Sequence, residues 1–267
     1  MLAPVTDEDT RTRLEALDGD PEAFSAWIEA LIEQSDRRLP EVARWAAERG
    51  DIELLMILMD DYVVHCEMRT VAAIREALPT LGEAITARVR TMLDHEASEE
   101  RRAGALFAGL LGLEALAPRL IEALEDRYFL TRMEAATALG KLRHRPAVPE
   151  LRRSLRDEDI LTRIAAIEAL TLIPDPELKT AYTGRFVDDP PEYHYGALDD
   201  ASPRARADAI RLLRRHRPTC AREVLVEYVA TFEEMEAEAK AEDGEITAED
   251  REVVMLARQV LAELDDG

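Results

Sequence analysis

The feature that most limits what this chain can fold into is a segment that aligns with itself after a shift of 31 residues. The shift places Pro118 on Pro149, Leu120 on Leu151, Leu124 on Leu155, Asp126 on Asp157 and Arg132 on Arg163. It continues with Ala135 on Ala166, Ala138 on Ala169 and Leu139 on Leu170, and the tripeptide Leu-Thr-Arg stands in both copies. Agreement across two apolar patterns and the turn between them marks a repeat array, in which small units stack and bury a continuous core. A copy lies upstream, where Leu93, Arg101, Gly104 and Gly109 fall on Leu124, Arg132, Ala135 and Gly140, with His95 in place of the Asp. Another follows an insertion of 12 residues, where Asp200, Arg206, Ala209, Leu212 and Leu213 repeat the pattern. A degenerate fifth copy covers 52–80, with Arg69, Ala72 and Ala73 opening its second helix.

Each copy reads as two short helices. In the first, Val148, Leu151 and Leu155 recur at helical spacing, and Pro149 sits in the opening turn, where its missing N–H costs little. In the second, Leu161, Ile164, Ala165 and Ile167 to Leu170 form the apolar face, and its small alanines permit close approach of helix axes. Pro174 and Pro176 then prevent continuation. The composition agrees: 47% hydrophobic, 34% charged, 5% aromatic and only 11 Gly describe helices packed on helices.

The stretch "APRLIEALEDRYFLTRMEAATALGKLRHRPAVPELRRSLRDEDILTRIAAIEALTLI" resembles the HEAT repeat family, in the short form of phycobilisome-lyase-type HEAT-like repeats. The resemblance is strong over 87–176, reasonable over 197–228, weak before 85 and lost after 230. It implies an all-α fold: a right-handed α-solenoid of stacked antiparallel helix pairs, first helices convex and second helices concave. It implies no particular activity, because such arrays serve unrelated functions. One continuous unit is expected over 1–267. Residues 1–51, with Trp27 and Trp45, form an N-terminal helical cap, and 52–228 carry the repeats with an insertion near 186–199. Residues 229–267 form the opposite cap, with Thr247 and Asp250 close to a capping-box pattern.

In each full copy an Asp precedes the repeated Arg by six residues: Asp126 and Arg132, Asp157 and Arg163, Asp200 and Arg206. The Asp falls in the turn between paired helices and the Arg opens the second helix. These six are assigned to a structural ladder, in which each Arg pairs with its own or the neighbouring layer's Asp.

No catalytic constellation stands out. Cys66 and Cys220 are far apart, and Cys220, after an Arg-rich run, reads as a packing residue, with a thiol pKa lowered by nearby Arg as the competing reading. The histidines His65, His95, His144, His194 and His216 lack metal-ligand spacing, and "DHE" around His95 supplies one His-Glu pair where iron-binding HEAT-repeat hydroxylases use several. Phosphate-binding glycine loops are missing. We therefore expect no enzyme activity, no cofactor and no metal.

Two non-repeating features stand above this background. The insertion brings Tyr193, His194 and Tyr195 into a Pro-rich loop at 188–199, either a binding element or a plug folded back on its neighbours. The segment 203–222 holds seven Arg and one acid, including Arg204, Arg211, Arg214 and Arg215. It is read as neutralised internally by acidic residues 233–252, with phosphate or nucleic-acid binding as the alternative. The second helices are expected to present Glu134, Thr137, Lys141, Glu168, Arg211 and Arg215 to a partner. With a net charge of -22, that partner is expected to be a protein with basic surface; nucleic acid and membrane are disfavoured. The reading is a non-catalytic interaction scaffold or regulatory adaptor, cytoplasmic and of bacterial type. An enzyme or enzyme accessory of chromophore-lyase or metal-hydroxylase type is the alternative. No signal peptide or membrane span is expected from the sequence.

Overall fold

The computed structural model describes residues 7–34, 36–65, 68–173, 178–183, 197–198, 200–241 and 246–265. These residues are helical with short connections, and no strand occurs among them. They fall into two compact units, Met1–Leu116 and Ala117–Gly267.

The first unit contains α1 (Asp7–Leu17), α2 (Pro21–Glu33), α3 (Leu39–Arg49), α4 (Ile52–His65), α5 (Met68–Glu76), α6 (Leu78–Leu93) and α7 (Ser98–Leu111). Pro21, Pro40 and Pro79 stand in opening turns, where a proline's fixed φ suits the helix. Gly50 and Gly112 close α3 and α7 in the left-handed conformation, with φ of 70° and 74°. The odd-numbered helices pack in succession, α1 on α3, α3 on α5 and α5 on α7, while α4 and α6 form a second row. Trp45 is buried 5.7 Å from the Phe24 ring, and the Arg49 guanidinium lies 4.6 Å over its face.

Asp36 and Arg38 form a bidentate pair beside α3, with bonds of 2.8 and 2.9 Å. Hydrogen bonds from Arg38 hold the Asp36 carboxyl below its usual range, against the opposing effect of burial. A depressed folded-state pKa stabilises above the unfolded value and ceases to do so as pH falls through the folded value. Asp36→Asn should therefore lose stability at neutral pH, and its deficit relative to wild type should close as pH drops below about 4. Thermal melts of the two proteins across that window check this.

The second unit contains α8 (Ala117–Ala123), α9 (Phe129–Lys141), α10 (Val148–Ser154), α11 (Ile160–Leu172), α12 (Leu178–Thr183), α13 (Pro203–His216), α14 (Ala221–Ala241) and α15 (Ala248–Asp265). These are helix pairs: α8 packs on α9, α10 on α11, α14 on α15, and α13 contacts α14. The second helices form a continuous layer, α9 on α11, α11 on α13 and α13 on α15. At the closest layer crossing, a Cβ added to Gly140 would stand 2.6 Å from the Ala169 Cα, so only glycine fits there. Thr162 of the second Leu-Thr-Arg is fully buried, and its hydroxyl donates to the Phe129 carbonyl one layer back at 3.3 Å. The α11 helix ends in an extended Ile173, the backbone form favoured before Pro174.

The first helices α8 and α10 are short, with 7 residues each. The α14 helix is different: it packs on α12 as the next first helix would, yet runs for 21 residues. Ala197 and Leu198 are buried, their N–H groups donating to the carbonyls of Ala181 and Tyr182 at 3.0 and 3.1 Å.

Candidate functional site

The repeated Asp and Arg residues build one motif several times. Arg132 Nη1 donates to the carbonyl of Asp126 at 2.9 Å, and Arg163 Nη1 to that of Asp157 at 2.9 Å. Arg206 Nη1 donates in the same way to the Asp200 carbonyl, and Arg101 to that of His95 at 3.0 Å. The opposite edges of the Arg132 and Arg163 guanidinium groups reach forward one layer. Arg132 Nε and Nη2 both lie 2.7 Å from the Asp157 carboxylate, and Arg163 binds Asp200 at 2.5 and 3.1 Å. Arg132 and Arg163 thus each join their own turn to the next one. The Asp carboxylates also shape their turns, accepting from the N–H of Tyr128, Asp159 and Ser202, each at 2.8 Å. His95 fills that role in the upstream copy, its Nδ1 accepting from Ala97 N–H at 3.1 Å.

The final rung uses a residue outside the repeat pattern. Arg206 pairs with Asp250, in the first turn of α15. Thr247 orients it: Asp250 N–H donates to Thr247 Oγ1 at 3.1 Å, and the hydroxyl donates back to the carboxylate at 2.6 Å. These pairs are well covered, with side-chain exposures of 9% and 11% for Arg132 and Asp157, and 17% and 3% for Arg163 and Asp200. Hydrogen bonding to Asp157 raises the basicity of Arg132 above that of an ordinary guanidinium, against the opposing effect of burial.

The remaining sequence-selected residues divide by exposure. Glu134 is buried on α9 and offers little surface, which corrects its expected place in a presented face, because α9 packs closely on α11. Thr137 is half-buried and Lys141 exposed. Glu168 is half-buried and faces Arg215 at 3.5 Å and His216 Nε2 at 3.9 Å. Arg211 pairs with Asp208 of its own helix at 2.6 Å, and Arg214 with Glu263 at 2.7 Å. Arg204 lies 4.0 Å from Asp208, and Arg222 pairs with Asp265 at 2.8 Å. The partners of the Arg-rich segment therefore come from α13 itself, the end of α15 and the preceding layer, with Asp250, the partner of Arg206, supplied by 233–252. Tyr193, His194 and Tyr195 lie outside the described residues.

Beside the last rung opens a cleft of about 610 Å³ that sequence reasoning missed. One wall is a face of α14: Val224, Glu227, Tyr228, Thr231, Phe232 and Met235, at the three- and four-residue spacing of a helix stripe. Thr183 and Leu198 lie opposite, and Arg206 and Asp250 line it as well. Phe232 is nearly buried, whereas Met235 is 55% exposed. The signal was present in the sequence as the apolar spacing 224, 228, 232, 235, but that spacing equally describes a core face.

Cys220 is half-buried, and burial pushes its thiol pKa up. This overturns the reading in which nearby Arg lowers it. Alkylation by iodoacetamide at neutral pH should be slower than for an unfolded cysteine and reach the free rate on denaturation. Burial likewise pushes up the pKa of Tyr182, whose hydroxyl lies 2.6 Å from that of Thr171. Among the described residues no group of three or more His, Cys, Asp and Glu could hold a metal ion, and no helix is long and apolar enough to cross a membrane.

Residues 117–194 match the HEAT repeats family. The match covers α8 through α12 and includes the Arg132–Asp157 rung and Arg163, but not Asp200. No curated protein sequence matches the chain.

Proposed function

We propose that this chain is a non-catalytic protein-interaction scaffold or adaptor whose partner carries basic surface. The observation that carries this reading is the division of labour among its charges. Repeated Asp and Arg residues satisfy one another between layers, and the charge that they do not use stands exposed on the repeats and on α14 and α15, where a partner can meet it. A net charge of -22 supports attraction to a basic partner. The 31-residue period supports the phycobilisome-lyase-type subclass of the repeat. The concave second helices and the 188–199 loop are the other surfaces proposed to take part.

A pull-down from native lysate tests the scaffold reading. The full chain should retain a defined protein whose binding weakens as salt rises, and retention of none would remove the reading. Nucleic-acid binding through 203–222 is disfavoured because Arg206, Arg211, Arg214, Arg215 and Arg222 each face an acid of this chain. No salt-dependent gel shift is expected, and a shift abolished by changing Arg211, Arg214 and Arg215 together would restore that alternative. A visible absorption band or stoichiometric iron in the purified protein would restore the enzymatic one.

A further inference from the structure

We infer that the turn after α9 holds a short acidic segment of a partner protein through Lys141, Arg143 and Arg145. This is a second surface, opposite in sign to the chain as a whole, and it does not depend on the basic partner proposed above. The chain has 56 Asp and Glu against 34 Lys and Arg, so a cation should rarely lack an acid beside it. Within the Ala117–Gly267 unit Arg153, Lys179, Arg214 and Arg258 follow that expectation, as do the arginines of the rungs. Lys141, Arg143 and Arg145 depart from it. All three are exposed, and none has an acidic partner among the described residues. Arg217, just past α13, is exposed and placed likewise.

The backbone sets Arg143 apart further. Gly112, Arg143 and Arg217 each stand eleven residues after the arginine of their own repeat, Arg101, Arg132 and Arg206. All three are left-handed, with φ of 74°, 51° and 44°. The first two turns close alike: Leu113 N–H donates to the Ala108 carbonyl at 2.9 Å, and His144 N–H to the Leu139 carbonyl at 3.1 Å. Glycine serves this position without strain, and arginine does not, so the turn gives no reason for Arg143. Nor does the helix. Lys141 in the last turn already meets the negative end of the α9 dipole, and Arg143 and Arg145 lie beyond it. What Arg143 adds is a guanidinium fork with two other cations close by in the chain, and such a fork takes a carboxylate through two parallel bonds. Salt confines the field of this cluster to about 8 Å at physiological ionic strength. A ligand must be short to feel the cluster rather than the acidic surface around it. That favours a run of a few Asp or Glu over a nucleic acid, and over a second copy, which itself carries a net charge of -22.

Fluorescence anisotropy of a short labelled Asp/Glu peptide against the full chain at low salt tests this. Wild type should bind the peptide, more weakly as salt rises, and should not bind an uncharged Ser/Gly peptide of the same length. Arg143→Gly should weaken binding at least threefold and leave the melting temperature equal to or above that of wild type, because it removes the fork and the strain together. Arg145→Gln should weaken binding to a similar degree. Arg258→Gln, which changes the net charge equally at a site on α15 where Arg258 pairs with Glu233, should leave binding unchanged. No binding by wild type, or equal effects of Arg143→Gly and Arg258→Gln, would overturn the inference. A lower melting temperature in Arg143→Gly would also overturn it, since Arg143 would then serve the turn. Displacement of the peptide by inorganic phosphate or a single-stranded oligonucleotide at lower concentration than by unlabelled peptide would assign the cluster to a phosphate ligand instead. Binding seen only when Asp175→Asn and Glu177→Gln are combined would assign it to the chain's own residues.

Discussion

Arg163→Ala is expected to destabilise the Ala117–Gly267 unit by about 3–5 kcal/mol, the usual cost of breaking a buried ion pair from one side. The substitution takes the Arg163 fork away from the Asp200 carboxylate, which is 3% exposed and also accepts from the Ser202 N–H. It also removes the donor to the Asp157 carbonyl. The cost comes from the charge left behind, so removing that charge should recover part of it. Arg163→Ala combined with Asp200→Asn should be less destabilised than Arg163→Ala alone, because Asn still accepts from Ser202. Arg163→Lys should fall between wild type and Ala, since an ammonium cannot span both carboxylate oxygens and the carbonyl with one rigid fork. Urea titrations of the four proteins give the comparison. A loss below about 1 kcal/mol would be the behaviour of an exposed pair and would contradict the burial described above. In the folded fraction that remains, partner binding should persist.

The second large effect is expected at Gly140. Alanine is the better helix former by about 1 kcal/mol, so propensity alone predicts stabilisation. Packing predicts the reverse. The new Cβ would stand 2.6 Å from the Ala169 Cα and 2.9 Å from its Cβ, and the nearer atom is backbone. Neither side chain can rotate away, so α9 and α11 must separate, at a cost of about 1–3 kcal/mol for overpacking. Gly140→Ala should lower the melting temperature despite the propensity gain. Gly82→Ala is the control: that helical position has nothing within 4 Å, and the same substitution should stabilise by about 0.5–1 kcal/mol. Gains at both positions would mean that the layers adjust without cost.

Some of this was legible in the sequence, and the limit has a physical cause. The spacing of Val148, Leu151 and Leu155, and of Ile164, Ala165 and Ile167 to Leu170, identified two helices per repeat because periodicity reports which side of a helix is apolar. The six-residue interval from Asp to Arg located the rungs, because a turn of fixed length recurs at fixed spacing. Periodicity does not report which layer an arginine will meet. Arg206 finds Asp250, 44 residues on, through a cap on a helix that does not match the repeat. Nor does it separate a face that is covered from one that is open. Glu134 reads as surface and is buried, while Val224, Tyr228, Phe232 and Met235, which straddle the expected boundary between repeats and cap, line a cleft. Both outcomes depend on what packs against the helix, which periodicity along one helix does not report.

The two-sided arginine has a consequence for how such a chain can change over time. Each rung has a plug and a socket, with an Arg held by its own turn and an Asp that receives the Arg of the layer before. Removing 31 residues in register, from 133 to 163, would set Arg132 where Arg163 stood, facing Asp200. The joint would be the same, with one layer fewer. A cut in any other register would leave a plug without a socket. Length is thus free to vary in whole units in the middle of the stack, while Arg206 is received by Asp250, on a helix that does not carry the repeat pattern. Chains of this design should differ from one another by whole layers, and their terminal helices should be the part that does not slide.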